Sequence, residues 1–311
     1  MRTWLVTGGC GFIGSHLVET LLARGDRVRV LDDLSTGRRE NVPARAEVTI
    51  GDVADIALLH RLMTGADGCF HLAAVASVQR GNEDWLGTHR TNLSGAIAVF
   101  DTARRCRAEA PLPVVYASSA AVYGDHPDMP LSESAPTRPL SAYGCDKLGC
   151  ELHGAVAWRV HGVPTVGFRF FNVFGPRQDP RSPYSGVIAI FAERIGLGRP
   201  IEIHGDGEQV RDFIYVADVV RHLIAAMDGA GAKAEIFNIC TGRATSILEL
   251  ARIIGTIAGQ TPAIAFKSPR TGDIRISIGD PAKARAAFGF ACETLIADGL
   301  RLTLAAMTPV R

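Results

Sequence analysis

A glycine-rich segment near the start of the chain constrains the fold more strongly than any other feature. The segment Thr7-Gly8-Gly9-Cys10-Gly11-Phe12-Ile13-Gly14 follows an apolar run, Thr3–Thr7, and precedes apolar residues at helical spacing. Glycines at positions 8, 11 and 14 allow a tight turn, close approach of a pyrophosphate and close packing of a helix on a sheet. The N-terminus of that helix adds free N–H groups and the positive end of the helix dipole. The segment therefore predicts a strand, a phosphate-binding loop and a helix.

Short apolar runs alternate with helical patterns through the first half of the chain. This repetition predicts right-handed crossovers and a parallel sheet. The first predicted helix closes at Gly25, which we interpret as its C-cap. The predicted strands are Thr3–Thr7, Arg27–Leu31, Glu47–Ile50, Gly68–Leu72, Val114–Ala117 and Thr165–Phe170.

The rhythm of the sequence changes near Asn172, after which helices and strands are mixed. We therefore expect an α/β fold, with a doubly wound parallel sheet of the Rossmann type and a smaller C-terminal α/β substrate lobe. The predicted dinucleotide-binding domain comprises residues 1–171, with about 206–242 returning to it. The predicted substrate lobe comprises about 172–205 and 243–311.

Composition and charge limit the classes of partner. Hydrophobic residues make up 47% of the 311 residues, charged residues 21%, and the formal net charge is +1. This near-balance provides no field for binding nucleic acid or an anionic membrane, so we expect a small-molecule ligand. Charge, Gly or Pro interrupts each apolar stretch before the ~20 residues that a membrane span needs. The first residues leave no room for a signal peptide, so we expect a cytoplasmic protein.

Cysteine and histidine usage predicts no metal site. The seven cysteines occur singly, without a Cys-x-x-Cys pair, and the nine histidines form no pair at ligand spacing. This pattern favours reduced thiols in a cytosol over a disulfide framework.

Acidic residues at the ends of predicted strands bear on the identity of the dinucleotide. Asp32 ends the second strand, where a carboxylate accepts hydrogen bonds from ribose hydroxyls and repels a 2′-phosphate, so we expect NAD. Arg38 and Arg39 lie nearby and would favour NADP, but Asp32 occupies the discriminating position. Asp52, after the third strand, has two readings: an acceptor for the adenine amino group, or an ordinary turn residue.

Three residues form a candidate catalytic set. Tyr143 and Lys147 are four residues apart on a predicted helix and so share one face. An ammonium beside a phenol stabilises the phenolate, which can take a proton from a sugar hydroxyl while hydride leaves the same carbon for NAD. Ser119 ends the fifth strand, where its hydroxyl either hydrogen-bonds the reacting oxygen or caps a turn.

With these residues in place, the chain resembles the extended short-chain dehydrogenases/reductases, and most closely their UDP-glucose (UDP-hexose) 4-epimerases. Six further segments carry the resemblance over nearly the full length: Asp32–Gly37, His71–Ala74, Asn92–Gly95, Arg169–Arg177, Gly205–Gly207 and Val210–Asp218. The resemblance implies Tyr143 as catalytic base, Lys147 as its tuner and cofactor anchor, and Ser119 as proton partner.

The resemblance also implies sets of binding residues. The expected NAD contacts are Gly8, Gly11, Phe12, Ile13, Gly14, Asp32, Asp33, Leu34, Ser35, Thr36, Gly37, Asp52, Val53, Leu72, Ala73, Ala74, Val75, Ala76, Asn92, Tyr143, Lys147 and Phe171. The expected contacts with the nucleotide-sugar are Ser119, Tyr143, Asn172, Val187, Ile203, Arg211, Arg270, Asp273 and Ser277. The two arginines suit a diphosphate, to which they can donate charge-assisted hydrogen bonds.

The implied reaction is transient oxidation at C4 of a UDP-hexose, followed by return of the hydride to the other face of the sugar. Nucleotide-sugar dehydratases and decarboxylases are weaker alternatives, because Ala120 and Ala121 stand where those relatives carry acidic residues. A UDP-uronate 4-epimerase remains an alternative. A catalytically silent NAD-binding module is disfavoured, because such relatives usually lose the Tyr or the Lys.

Three further expectations follow from the resemblance. Ser277 falls at the position that gates sugar size, and its small side chain predicts acceptance of UDP-GlcNAc and UDP-GalNAc; the alternative is that Ser277 lies in a surface strand and gates nothing. Ala76 replaces a polar or basic residue near the cofactor, which bears on how tightly NAD is retained. The family pairs as homodimers through helices that include the one bearing Tyr143, and Val156 and Trp158 are expected to be exposed there.

Overall fold

The computed structural model describes residues 1–107, 110–180, 186–229, 233–269 and 274–307. Its strands are β1 (Thr3–Thr7), β2 (Arg27–Asp32), β3 (Glu47–Ile50), β4 (Gly68–His71), β5 (Val114–Ser119), β6 (Thr165–Phe170), β7 (Asn172–Phe174), β8 (Ile201–His204), β9 (Val210–Arg211), β10 (Phe213–Tyr215), β11 (Ala234–Ile239), β12 (Thr245–Ser246), β13 (Ile264–Lys267) and β14 (Ile276–Ser277). Its α-helices are α1 (Phe12–Ala23), α2 (Ile56–Met63), α3 (Val78–Glu83), α4 (Trp85–His89), α5 (Gly95–Arg105), α6 (Ala142–His161), α7 (Val187–Gly196), α8 (Val216–Asp228), α9 (Ile247–Ala258), α10 (Ala282–Phe288) and α11 (Ile296–Met307).

The chain divides into two compact units. The first comprises Met1–Tyr123, Thr137–Arg169 and Val220–Phe237, and the second comprises Gly124–Pro136, Phe170–Val219 and Asn238–Arg311.

The first unit is built around a β-sheet with helices packed against it. Within the described residues this sheet has seven strands, in the order β11-β6-β5-β4-β1-β2-β3. The pairs β1–β2, β1–β4, β2–β3 and β4–β5 are parallel. Strands such as β4 and β6 are buried along their whole length, as expected where helices cover both faces of a sheet. The expected doubly wound Rossmann-type sheet is confirmed.

The core of the first unit packs helices on this sheet. Side chains of α2, α5 and α6 contact those of the central strands, with Leu59, Val99 and Tyr116 almost completely buried among them. This packing holds α6 against β5, and so holds the helix of the Tyr-x-x-x-Lys pair against the strand that ends at Ser119.

The second unit contains small sheets and its own core. The strands β8 and β13 are parallel, as are β7 and β10, while β9 lies between β12 and β14. Helices α7, α9 and α11 contribute to a core that includes Phe191, Ile203, Leu250 and Leu300.

The unit boundaries differ from the sequence-based division in more than one place. Gly124–Pro136 belongs to the second unit, although it was expected in the first. The reason is a set of long-range bonds: the Leu131 amide donates to Ile278 O at 2.8 Å, and the Asp280 amide donates to Leu131 O at 2.8 Å. The returning segment also begins at Val220 instead of near residue 206. Pairing of this kind leaves no local pattern in the sequence.

Element ends were predicted to within about two residues, as such ends usually are. Gly25 is not the C-cap of α1: Arg24 is the cap, and Gly25 follows it with φ +85°, the left-handed conformation of the next position. Pro281 precedes α10 as its N-cap. None of the helices in the described ranges has the length and apolar character to cross a membrane.

Candidate active site

The glycine-rich loop leaves the start of α1 open to an anion. Gly8 has φ +70°, and a Cβ on Gly14 would collide with Gly8 O. Gly11 is the N-cap of α1, and among the described residues no side chain caps the helix and no acidic residue lies in its first turn. The free N–H groups and the positive dipole end therefore remain available, and this end of the helix fits a pyrophosphate such as that of NAD.

Asp32 joins this loop to the segment that follows β2. Its buried carboxylate accepts hydrogen bonds from the Cys10 amide at 2.8 Å and from the Leu34 amide at 2.9 Å. Burial raises the pKa of Asp32, although these backbone hydrogen bonds oppose the rise. Asp32 is predicted to bind the ribose, and these backbone hydrogen bonds already fix the position of its carboxylate.

Asp52 and Asn92, two of the expected NAD contacts, already have partners within the protein. Asp52 accepts from the Ala54 amide at 2.8 Å, as a turn residue does, and from Arg90 Nη2 at 3.0 Å. Asn92 is buried and bonds both backbone groups of Val75, at 2.8 Å and 3.2 Å. Asn92 thus holds the loop after β4. Asp52 acts as a turn residue, and its contact with adenine stays a prediction.

The candidate catalytic residues all lie in the first unit. Tyr143 occupies the first turn of α6, whose N-cap Ser141 accepts from the Gly144 amide at 3.1 Å. Lys147 is buried, its Nζ donates to Ala117 O at 2.8 Å, and the same atom lies 5.8 Å from the centroid of the Tyr143 ring. The structure thus fixes the ammonium between the phenol and β5.

Ser119 lies at the carboxyl end of β5, two residues beyond the acceptor of Lys147. Its Oγ accepts from the Ala121 amide at 3.2 Å and so caps the short 3-10 turn that follows. A Cβ on Gly144 would lie 2.7 Å from Ala121 O, so this turn packs closely on the start of α6. Since the hydroxyl accepts this bond, its own proton is available for another acceptor.

A buried histidine beside this set was not predicted as functional. His71 ends β4, its Nδ1 lies 2.8 Å from Thr7 Oγ1, and burial, with the charge of Lys147, lowers its pKa to about 3. The imidazole is therefore neutral at physiological pH. It therefore adds no positive charge beside Lys147.

A buried ion pair behind β5 was also missed. Glu151, on α6, bonds Arg169 of β6 and the hydroxyl of Ser118. In the sequence, Glu151 and Arg169 resemble ordinary charged residues of a helix and a strand. The one signal of a shared role was the four-residue spacing between Lys147 and Glu151.

Apart from Ser119 and Tyr143, the expected substrate residues that can be located lie in the second unit. Asn172 begins β7 and Val187 begins α7, and both are half-buried. Ile203 is buried in the core, so a ligand contact there would involve its backbone. Arg270 and Asp273 lie outside the described residues.

Arg211 and Ser277 are register partners on β9 and β14. Asp212, the buried residue that follows Arg211, bonds the segment after β11: its carboxylate accepts from the Thr241 amide at 2.9 Å, the Thr241 hydroxyl at 2.6 Å and the Gly242 amide at 2.9 Å. Burial raises the pKa of Asp212 in spite of these hydrogen bonds. The bonds hold the strand of Arg211 in a defined position.

A cavity of about 700 Å³ lies in the same unit, near the carboxyl ends of β8 and β13. The side chains that line it include those of His204, Asp206, Gln209, Phe266, Lys267 and Arg275. Gln209 donates to His204 O at 2.8 Å, while its buried Oε1 has no hydrogen-bond partner among the described residues. Two hydrogen bonds from Arg275, at 2.7 Å and 3.0 Å, lower the pKa of Asp206 to about 2. The sequence indicated this region only through the Gly205–Gly207 motif.

Within the described part of the chain, no group of three or more His, Cys, Asp or Glu side chains could hold a metal ion.

Comparison with known proteins gives the class. Residues 4–240 match the NAD dependent epimerase/dehydratase family, and the chain belongs to it. The UDP-glucose 4-epimerase of Mycolicibacterium smegmatis is 37% identical over 98% of this chain and 97% of its own length. The expected resemblance, the assignment as an enzyme, and NAD as cofactor are confirmed.

Two solved structures are similar over nearly the whole chain. A UDP-glucose 4-epimerase from Thermotoga maritima, with UDP-glucose, has a TM-score of 0.93 at 35% identity, covering 98% of both chains. A UDP-N-acetylglucosamine 4-epimerase from Methanobrevibacter ruminantium, in complex with UDP-N-acetylmuramic acid, has a TM-score of 0.92 at 34% identity, covering 98% of both chains.

Proposed function

We propose that this enzyme is a UDP-sugar 4-epimerase that interconverts UDP-glucose and UDP-galactose. The observation that carries the proposal is the Lys147 ammonium, held by Ala117 O at 2.8 Å and 5.8 Å from the Tyr143 ring, next to the strand that ends at Ser119. Relatives named for this reaction, similar over nearly the full length, support it.

Tyr143 accepts the proton of the sugar O4, and the Lys147 ammonium lies 5.8 Å from the centroid of its ring. The Ser119 hydroxyl donates to the reacting oxygen and orients it. The glycine loop before α1 and Asp32 would hold NAD, which when bound would supply hydride transfer at C4. Tyr143 then gives its proton back to O4, so the net change is inversion at one carbon with no net oxidation.

The second unit supplies groups suited to the UDP half of the substrate. Arg211 offers a guanidinium for the diphosphate. The cavity near β8 and β13 contains the exposed ring of Phe266, which suits stacking on a base. It also contains Gln209 Oε1, which has no hydrogen-bond partner in the described part of the chain and can accept from a base N–H. Lys267 adds positive charge at the same cavity. Firm binding of UDP leaves the hexose free to present either face.

We propose that the enzyme also accepts UDP-GlcNAc and UDP-GalNAc. The side chain of Ser277 is small and half-buried on β14, and its register partner is Arg211. A small residue at this position leaves volume for an acetamido group. The similar UDP-N-acetylglucosamine 4-epimerase supports this extension.

Other reactions of the family are less well supported. Elimination of water or loss of CO₂ from a keto sugar needs an acid or base beyond Tyr143. The residues that follow Ser119 are Ala120 and Ala121, which transfer no protons. A UDP-uronate substrate would need a further donor for its carboxylate, and a purely NAD-binding module would need none of Ser119, Tyr143 and Lys147.

We further propose that the enzyme acts in the cytoplasm as a homodimer. All seven cysteines lie within the described residues and are free thiols, as in a reducing compartment. Helix α6 exposes a stripe of Leu152, Val156 and Val160, which are 62%, 48% and 67% exposed. Trp158 is half-buried. The stripe suits the same stripe on a second copy.

The direct test is incubation of the purified protein with UDP-glucose, followed by NMR of the products. We expect the anomeric signal of UDP-galactose to grow until equilibrium, without net consumption of NAD. Tyr143→Phe serves as the inactive control. Formation of a 4-keto-6-deoxy sugar would contradict the proposal, and so would the absence of any product while NAD is bound.

A further inference from the structure

Glu151 is the centre of a buried network that joins three elements of the first unit. Arg169 of β6 donates to both carboxylate oxygens of Glu151, from Nε to Oε1 at 2.8 Å and from Nη2 to Oε2 at 2.6 Å. Ser118 Oγ donates to Oε1 at 2.5 Å. All three side chains are buried. The carboxylate is therefore satisfied by three charge-assisted hydrogen bonds from two strands.

The network is one helical turn from the catalytic lysine. Tyr143, Lys147 and Glu151 are spaced by four residues, so they follow one another along the same face of α6. Lys147 bonds Ala117 O, and Glu151 bonds the side chain of Ser118, the next residue of β5. Two successive bonds thus set how far α6 lies along β5, immediately before Ser119.

The network also neutralises a buried positive charge near the site. Burial alone would lower the pKa of Arg169, but the hydrogen bonds and charge of Glu151 outweigh it and raise that pKa above its usual value. The guanidinium also lies 4.7 Å from the centroid of the Tyr123 ring. With Glu151 ionised, the pair contributes little net field, and Lys147 supplies the cation for Tyr143.

We propose that Glu151 is a positioning residue for the epimerase reaction: by holding Ser118 and Arg169 it sets the alignment of Tyr143, Lys147 and Ser119. This inference rests on the proposed function. Net stability does not explain the network, because apolar residues of similar volume often replace a buried ion pair without loss of stability. Alignment does explain it, since misplacement of a reacting group by about 1 Å can cost about a hundredfold in rate.

The experiment compares wild type, Glu151→Gln and the double variant Glu151→Met/Arg169→Met. For each, we would measure kcat and KM for UDP-glucose between pH 5 and 10, bound NAD, and the thermal unfolding midpoint. Leu59→Ala, in the core at α2, is the matched control for destabilisation alone. Turnover by the wild-type enzyme tests the proposed function separately. If the wild type forms no UDP-galactose, the proposed function is wrong, whatever the Glu151 variants show.

We expect Glu151→Gln to lower kcat about tenfold or more with KM changed less than about threefold, because alignment acts in the chemical step. The loss of kcat should persist across the whole pH range, because misalignment does not depend on protonation. The double variant should recover the unfolding midpoint, yet keep a low kcat. Leu59→Ala should lower the midpoint and leave kcat near wild type.

Two results would overturn the positioning role. One is a wild-type kcat and pH profile in Glu151→Gln. The other is full recovery of kcat in the double variant, which would show that only the unbalanced charge mattered. If Glu151→Gln does not fold, Ser118→Ala tests the positioning role instead, because it removes one hydrogen-bond donor to Glu151. We expect its kcat to fall about threefold to tenfold with a small change in the unfolding midpoint. An unchanged kcat in Ser118→Ala would refute the role.

Discussion

Arg211 and Ser277 lie opposite each other on the neighbouring parallel strands β9 and β14, and the Asp212 amide donates to Ser277 O at 3.0 Å. The two residues were selected from the sequence for different reasons, one for a diphosphate and one for the size of a sugar. Their pairing places the candidate gate one strand spacing, about 4.8 Å, from the candidate phosphate ligand. A larger side chain at position 277 would therefore act close to the phosphate-bearing end of the substrate.

Ser277→Tyr should abolish turnover of UDP-GlcNAc while leaving kcat/KM for UDP-glucose within about threefold, because the ring fills the volume needed by an acetamido group. Parallel assays of the two substrates by NMR would measure the ratio. Ser277→Ala is the control and should keep both activities. Equal loss of both in the Tyr variant would show that position 277 does not gate the sugar.

Tyr143→Phe should lower kcat for UDP-glucose by a factor of about a hundred or more, because it removes the group that takes and returns the O4 proton. Its NAD content should match wild type, since the ring and Lys147 remain. Product formation and cofactor content would be measured on the same preparation. Undiminished epimerisation would exclude Tyr143 as the base.

Gly14→Ala should abolish NAD retention, because the new Cβ would collide with Gly8 O and push the first turn of α1 away from the loop. The measurement is the amount of NAD released on denaturation. Gly196→Ala, at the end of α7, is the control, since a Cβ there meets nothing within 4 Å. Comparable NAD in the Gly14 and Gly196 variants would contradict the assignment of the loop.

The buried imidazole of His71 should make stability depend on pH. Burial lowers the pKa of the folded-state imidazole to about 3 from its ordinary value of 6.5, so the unfolded chain binds the extra proton first. The free energy of unfolding should therefore fall as the pH falls from 6.5 towards 3, and this contribution is fully present above 6.5. Urea unfolding of wild type and His71→Gln across this range would test it. The variant should show a shallower slope, and identical slopes would refute the contribution.

Val156→Glu should convert a dimer into monomers, because a buried charge in the α6 stripe costs more than the contact contributes. Sedimentation velocity at several concentrations would measure the change. Glu substituted for Ile56, a similarly exposed residue on α2, is the control. A wild-type protein that is monomeric at all concentrations would disprove the interface.

Local patterns anticipated much of the first unit. The turn after β1, the helix that follows it, and the Tyr-x-x-x-Lys pair depend on residues close in sequence, so spacing alone reveals them. The network at Glu151 escaped notice because its partners are distant, Ser118 by 33 positions and Arg169 by 18. The segment at Leu131 was assigned to the wrong unit for the same reason.

By itself, the sequence determined the α/β class, the NAD loop and the set of reactive side chains, since each follows from short-range periodicity and residue chemistry. The tertiary structure decided which charged side chains are buried, which hydroxyls accept hydrogen bonds and which strands are neighbours. Burial and hydrogen bonding depend on groups brought together from distant parts of the chain. Glu151 and Arg169 look like solvated surface residues until folding removes water from both and leaves each as the other's partner.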